Sequence, residues 1–382
     1  MIADAGPTAD ALTLASQALC LSNPNPRVGC VIMAADGREI GRGHTQQAGG
    51  PHAEVMALRD AASRDESTVG ATAYVTLEPC SHHGRTPPCC DALIAARVGK
   101  VVVATSDPNP LVSGKGLERL RAAGIAVKLL PPDSGEARAA RELNIGFFSR
   151  MVRKMPWVRM KAATSLDGVT ALANGESQWI TGEAARADGH AWRARACAVL
   201  TGIGTVLEDD PMLDVRQVPT PRQPHLVIVD SRLETPPTAH LFQTPAQGLT
   251  RNILIYCATA DAQRQAALEQ QGATVIPLPG PGGKVDLAAM LRDLAMVREV
   301  NELHLEAGHK LNGSFLREGL VDELLLYIAP QLLGTGGSGI ASWGPLQSLD
   351  QRLNLRFGPV TPIGSDLRIL ARVQGRDAFL HP

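Results

Sequence analysis

The sequence predicts two α/β domains in series. Strand and helix signals alternate along the chain, the alternation restarts after Lys154, Met155 and Pro156, and 382 residues suffice for two buried cores. In the first half, residues 28–34 and 39–44 flank an Ala-Asp-Gly turn and read as a hairpin. Pro51 suits the first turn of a helix over 52–62, and the apolar run 71–77 reads as a buried strand. A helix over 89–97 follows Pro87 and Pro88. Strand 100–105, helix 116–123, strand 125–130 and helix 136–151 then complete an α/β sandwich with a largely parallel sheet. Beyond the break, strand 157–162 opens the second series. Further strands are expected at 198–200, 225–229, 253–256, 302–305 and 323–328, and a hairpin of 353–357 with 367–373 closes the chain. Two Pro- and Gly-rich stretches, 218–224 and 277–283, read as surface loops.

Composition narrows the function. A net charge of −1 creates no field for nucleic acid or anionic membrane, and 3% aromatics leaves no stacking platform for single strands. The start, MIADAGPTADALTLASQAL, lacks the basic head and continuous apolar stretch of a signal peptide, and no apolar run is long enough to span a bilayer. A cytoplasmic protein is therefore expected, in which clustered cysteines point to metal or catalysis rather than disulfides. Of the 7 cysteines, Cys20, Cys30, Cys197 and Cys257 stand singly in apolar surroundings and read as core residues.

The other three fall in LEPCSHHGRTPPCC, residues 77–90. His52 and Cys89 each open a helix, and Cys80 follows a strand. A helix dipole's positive end favours thiolate, the form a metal needs. One imidazole and two thiolates leave a fourth tetrahedral position for water, as in a catalytic zinc site. Glu54, two residues from His52, is suited to shuttle protons to and from that water. His-x-Glu followed by Pro-Cys-x(n)-Cys is the zinc-deaminase signature; n is ordinarily 2, whereas eight residues separate Cys80 from Cys89 here. The inserted loop reads as a substrate reader. The alternative is a structural four-ligand site completed by His82, His83 or Cys90. His83 and Arg85 read equally as solvent-facing residues or as phosphate or base readers.

Three segments of the second half carry different chemistry. In MKAATSLDGVTALANGESQWIT, 160–181, a strand leads through a turn into a polar loop with an exposed Trp179. In LTGIGTVLEDDPMLDVR, 200–216, Gly202 and Gly204 allow close approach of a ligand, while Thr205 and Asp209 offer polar contacts or merely end a short helix. HLEAGHKLNGSFL, 304–316, reads as a strand, a turn and a helix start, presenting backbone N–H groups to a phosphate. Glu306 sits at the strand's carboxyl end, where open α/β sheets bind ligands. His309 and Lys310 add positive charge that favours NADPH over NADH.

With PHAEVMALRDAA, NPNPRVGCVI and DPNP in the first half, these motifs make the chain resemble the bifunctional riboflavin-biosynthesis deaminase–reductase family over nearly its whole length. The resemblance implies a cytidine-deaminase-like α/β/α sandwich over 1–153 and a dihydrofolate-reductase-like domain over 154–382. It implies zinc-dependent hydrolytic deamination of a diaminopyrimidinone carrying a ribosylamino 5′-phosphate, then NADPH reduction of the ribosyl group to ribityl. It makes His52, Cys80 and Cys89 the zinc ligands and Glu54 the proton shuttle, leaving Cys90 about 100° away around the helix. Asn25 and His44 fall in segments that approach the pyrimidine. The resemblance also implies NADP contacts at Ala163, Trp179, Thr205, Asp209 and Ser231, with the backbone of Gly308, His309, Lys310, Leu311, Asn312, Gly313 and Ser314. Implied substrate contacts are Ser177, Arg193, Leu213, Arg216 and Glu306, the two arginines suiting the sugar phosphate. Lys161 either polarises the substrate or forms a structural ion pair. A homodimer through the reductase domain is likewise implied.

Overall fold

The computed structural model describes residues 6–84, 86–110, 112–259 and 261–381. It separates into two compact units, Met1–Lys154 with Ala378–Pro382, and Met155–Asp377. The C-terminal residues thus rejoin the first unit instead of ending the second. Leu380 is fully buried there, and the Arg153 guanidinium lies 5.3 Å from the Phe379 ring centre.

In the first unit, α1 (Pro7–Gln17) begins on a proline whose fixed φ suits a first helical turn. The hairpin of β1 (Gly29–Met33) and β2 (Glu39–His44) follows, then α2 (Ala53–Ser63), β3 (Thr72–Val75), α3 (Cys89–Ala95) and β4 (Lys100–Val103). Next come α4 (Lys115–Ala122), β5 (Ala126–Leu129), α5 (Gly135–Leu143) and α6 (Ile145–Arg153). The sheet runs β2-β1-β3-β4-β5, with β3, β4 and β5 parallel and β1 antiparallel to both its neighbours. Four of the five strands therefore point the same way and β1 alone is reversed, since a short turn can join β1 to β2 only in antiparallel fashion.

Glycines bring the helices onto this sheet. A Cβ on Gly29 would lie 1.8 Å from the Ala11 carbonyl oxygen of α1, and one on Gly43 would lie 2.7 Å from that of Ala53 in α2. Gly43 pairs with Cys30, the residue after Gly29, so α1 and α2 cover opposite faces. The single helix expected over 136–151 is two helices. Asn144 leaves helical geometry and spends its side chain on the Arg27 backbone, accepting from N at 2.7 Å and donating to O at 2.9 Å. Cys30, Cys197 and Cys257 are buried as expected, whereas Cys20, in the turn after α1, is only half-buried.

The second unit starts with β6 (Trp157–Ser165), α7 (Glu183–Arg195), β7 (Ala198–Gly202), α8 (Ile203–Asp209) and β8 (His225–Val229). It continues with β9 (Ile253–Cys257), α9 (Ala262–Gln270), β10 (Ala273–Pro277), α10 (Leu287–Met296) and β11 (Glu302–Leu305). It closes with α11 (His309–Arg317), β12 (Glu323–Ala329), β13 (Leu355–Ile363) and β14 (Asp366–Val373). The nine strands run β10-β9-β8-β7-β11-β6-β12-β14-β13, parallel from β10 through β12, with the final hairpin antiparallel. Trp157, Met160, Leu200, Leu303 and Phe315 anchor its core. Sequence periodicity carries no expectation for β10, α7, α9 or α10, whereas α8 is a short helix ending at Asp209, one of the two readings of that segment. Asp261 and Asp286 nevertheless cap α9 and α10, Asp261 accepting from the N–H groups of Gln263 and Arg264 and Asp286 from that of Ala289.

Candidate active sites

In the first unit, His52 caps α2, Cys89 opens α3, and Cys80 lies in the loop beyond β3. Packing brings the three together: their ligating atoms all lie within 4.8 Å of one another. His52 Nδ1 is 3.6 Å from Cys80 Sγ and 3.3 Å from Cys89 Sγ. Tetrahedral zinc with ordinary Zn–N and Zn–S bonds holds such atoms about 3.6 Å apart, so the constellation fits the metal. The backbone N–H of Cys89, at the start of α3, donates to Cys80 Sγ at 3.3 Å. Hydrogen bonding from Cys89 lowers the pKa of the Cys80 thiol, with burial opposing and His52 assisting, while sharing with Cys80 and burial push Cys89 up.

Glu54 is buried in the first turn of α2, and burial, reinforced by the charge on Cys80, raises its carboxyl to about 7. Cys90 turns away from the cluster: its Sγ lies 3.3 Å from the Pro79 carbonyl and 3.5 Å from that of Gly116. Burial pushes its thiol up to about 12. His82 and His83 are outside the three-residue constellation among the described residues. Arg85 lies outside the described residues. His44 ends β2, where partial burial lowers its pKa, and Asn25 is half-buried in the turn before β1.

Two residues that sequence reasoning did not single out support this site. The buried Glu78 carboxylate accepts from the backbone N–H groups of Gly114 and Gly116, both at 3.0 Å, which ties the start of α4 to the Cys80 loop. Thr86 Oγ1 lies 3.4 Å from His52 Nε2. Neither belongs to a ligand motif, so no local signal marks it.

The second unit contains a cavity of about 830 Å³ at the carboxyl edge of its parallel strands. Lys161 and Ala163 reach it from β6, and Ser177 and Trp179 from the following loop. Arg193 comes from α7, Thr205 and Asp209 from α8, and Leu213 and Arg216 from the segment beyond. Glu306, Gly308, His309 and Asn312 line it around the start of α11. Trp179 is 67% exposed and stacks on the Arg186 guanidinium, 4.6 Å from its ring centre. Gly308 caps α11 without a side-chain partner and has open space beside it, so a cofactor phosphate fits against that helix end.

Other expected cofactor residues are not on this wall. Ser231 follows β8 and accepts the Ala258 and Thr259 N–H groups with its carbonyl. Lys310 is exposed, Leu311 packs against Gly202, and a Cβ on Gly313 would strike the Ser342 carbonyl at 2.1 Å. Ser314 hydroxyl turns back to the Lys310 carbonyl. Gly202 therefore admits a protein side chain rather than a ligand.

Electrostatics here centre on Glu306. Arg193 grips its carboxylate with two hydrogen bonds of 2.6 and 2.8 Å, His304 Nε2 lies 2.9 Å away, and Lys161 Nζ 4.0 Å away. Burial opposes ionisation, but Arg193 and Lys161 hold the carboxyl well below the usual range. Burial lowers the pKa of Lys161, against the pull of Glu306. Lys161 therefore both lines the cavity and faces a carboxylate, the ion pair being one of the two alternatives expected for it. The Arg193 fork, expected to meet phosphate, is occupied by Glu306. Arg216 remains 46% exposed, with only its Nη1 drawn to Asp214 at 2.8 Å.

Arg251, also unanticipated, steadies the neighbouring segment. It donates to the carbonyls of Met212 at 2.5 Å and Leu213 at 2.9 Å, supporting the left-handed backbone of Leu213 at φ 50°.

A zinc-ready triad beside a buried glutamate, with a cofactor-sized cavity in a second α/β unit, defines a zinc deaminase joined to a reductase. Residues 7–105 match the zinc-binding region of cytidine and deoxycytidylate deaminases, and residues 156–369 match the RibD C-terminal domain. The chain is 43% identical to the Escherichia coli riboflavin biosynthesis protein RibD, over 94% of this chain and 96% of that one. The solved Acinetobacter baumannii RibD superposes with a TM-score of 0.85 at 40% identity, covering 96% and 98% of the two chains. A Thermotoga maritima structure described as a diaminohydroxyphosphoribosylaminopyrimidine deaminase/5-amino-6-(5-phosphoribosylamino)uracil reductase has a TM-score of 0.80 at 30% identity, covering 96% and 97%. The chain belongs to the RibD family, the bifunctional deaminase–reductases of riboflavin biosynthesis. Its first domain is cytidine-deaminase-like and zinc-binding, and its second is an NADPH-using reductase of dihydrofolate-reductase-like fold. No described helix is long and apolar enough to cross a membrane.

Proposed function

We propose that the first unit hydrolyses the 2-amino group from 2,5-diamino-6-(5-phosphoribosylamino)pyrimidin-4(3H)-one. The second would then reduce the ribosyl group to give 5-amino-6-(5-phosphoribitylamino)uracil. The activities named for the Thermotoga maritima relative support this substrate, and the approach of His52, Cys80 and Cys89 to one point carries the deaminase half. Zinc held by those three side chains supplies the Lewis acidity that makes water a nucleophile near neutral pH. Glu54 takes the proton from the attacking water and passes it to the departing amine, which leaves as ammonia. Asn25 and His44 hold the pyrimidine.

In the second unit, NADPH supplies a hydride for C1′ of the ring-opened imine. Ala163, Trp179, Thr205, Asp209, Gly308, His309 and Asn312 hold the cofactor. Arg216 takes the sugar phosphate, Ser177 and Leu213 border the sugar, and Lys161 polarises it. Glu306 orients Lys161, and Arg193 fixes Glu306.

A paired assay tests the sequence of steps. The diaminopyrimidinone should release ammonia without NADPH, and NADPH oxidation should follow once NADPH is added. Ammonia release with no NADPH oxidation would overturn the two-step reading. Ligand identity has its own check in zinc content: Cys89→Ala should lose the metal, whereas Cys90→Ala should retain about one zinc per chain.

We also propose a homodimer through the second unit and a cytoplasmic location. The edge strand β13 exposes Leu355, Val360 and Phe357, the last 71% exposed, which supports an apolar contact between copies. Cys80 and Cys89 meet His52 as a metal-type cluster rather than each other as a disulfide, which supports the location. Light scattering should return twice the chain mass, and a single-chain mass would refute the dimer.

A further inference from the structure

We propose that Thr86, carried by the eight-residue loop between Cys80 and Cys89, is a positioning residue that locks the His52 imidazole in its metal-binding orientation. The proposal rests on reading His52 as a ligand. His52 turns Nδ1 toward the two sulfurs, at 3.6 and 3.3 Å, and its opposite nitrogen, Nε2, lies 3.4 Å from Thr86 Oγ1. A neutral imidazole has one protonated nitrogen. With Nδ1 committed to a metal, Nε2 carries that proton and donates it to the threonine hydroxyl. This bond selects the tautomer and fixes the ring's rotation, the task that an outer partner performs for a metal-bound histidine.

The loop's chemistry makes Thr86 a stiff support. Threonine is branched at Cβ and restricted at χ1, and a following proline confines its backbone to extended geometry. Its carbonyl accepts from the Gly84 N–H at 3.3 Å. Pro87 and Pro88 then lead directly into α3, whose first residue is Cys89, with Pro88 at φ −59°. The hydroxyl is thereby held at a short, rigid distance along the chain from one metal ligand while it orients another. The long spacing between the two cysteines acquires a role in metal binding without any of its side chains becoming a ligand.

The test is zinc affinity of the full-length chain, measured by competition with a chromophoric chelator. Thr86→Val keeps the branched shape and removes the hydroxyl, and should weaken zinc binding about 10–100-fold. Thr86→Ala, which also lacks the hydroxyl, should show a comparable loss, whereas Thr86→Ser should bind as wild type does. Far-UV circular dichroism and NADPH oxidation on the deaminated substrate should be unchanged in all three. Wild-type affinity in both Thr86→Val and Thr86→Ala would overturn the proposal, as would an equal loss in Thr86→Ser. His52→Ala serves as the reference. If it retained zinc, the ligand assignment would fall and the positioning role with it, a result distinct from a failure at Thr86 alone.

Discussion

Glu54→Gln is expected to reduce ammonia release by about 10²–10⁴-fold while zinc content and NADPH oxidation on the deaminated substrate stay at wild-type levels. The amide matches the carboxylate in size but cannot accept and return a proton, so the loss reports proton transfer rather than packing. Glu54 is buried, and it lies two residues from His52 in the first turn of α2. A joint loss of zinc would instead make it a structural support of the metal loop. Loss of both activities with zinc retained would contradict two separately functioning sites.

Removing the carboxylate at the centre of the other site should have the converse effect. Glu306→Ala leaves Arg193 and Lys161 as neighbouring, partly buried cations without their shared partner. Breaking a buried ion pair from one side costs about 3–5 kcal/mol, so the variant should unfold at lower urea and lose NADPH oxidation while ammonia release persists. The pH dependence follows from the sign of the shift. Glu306 has a folded pKa depressed below its ordinary 4.5, so its stabilisation is fully present above that value and is lost as pH falls toward the folded pKa. In Glu306→Ala that part of the acid sensitivity should disappear from urea midpoints measured between pH 7 and 3. An unchanged acid profile would show that Arg193 and Lys161 gain nothing from this carboxylate in the folded state.

Much of the fold was legible because it rests on local signals. The apolar runs at 198–202, 225–229 and 253–257 lie in fully covered parallel strands, and parallel strands buried on both faces read as continuous apolar segments. The helix starts at His52 and Cys89 were legible for the same kind of reason, since prolines precede both. The break at Asn144 was not, because it depends on a side chain reaching Arg27, 117 residues earlier. Helices α7, α9 and α10 and strand β10 had no sufficient periodic signal.

The deaminase constellation was more readable than the reductase cavity. His52, Glu54, Cys80 and Cys89 belong to one compact signature in which residue type and helix position together restrict the chemistry. The reductase residues come from β6, α7, α8, α11 and the segments between, and charges at such spacing have many satisfactory partners. Sequence chemistry suited Arg193 to a phosphate, yet folding set a carboxylate 113 positions away against its fork.

By itself the sequence determined the α/β class and which side chains had the chemistry to hold a soft metal. Those properties follow from periodicity, turn residues and ligand type, all read over a few positions. Only the tertiary structure decided that Cys90 points away while Thr86 reaches His52, that Glu78 binds the start of α4, and that Glu306 gathers Arg193, Lys161 and His304. Each of those outcomes depends on the rotation of a helix or the path of a loop. A local pattern specifies neither, because both are settled by burying surfaces contributed from distant parts of the chain.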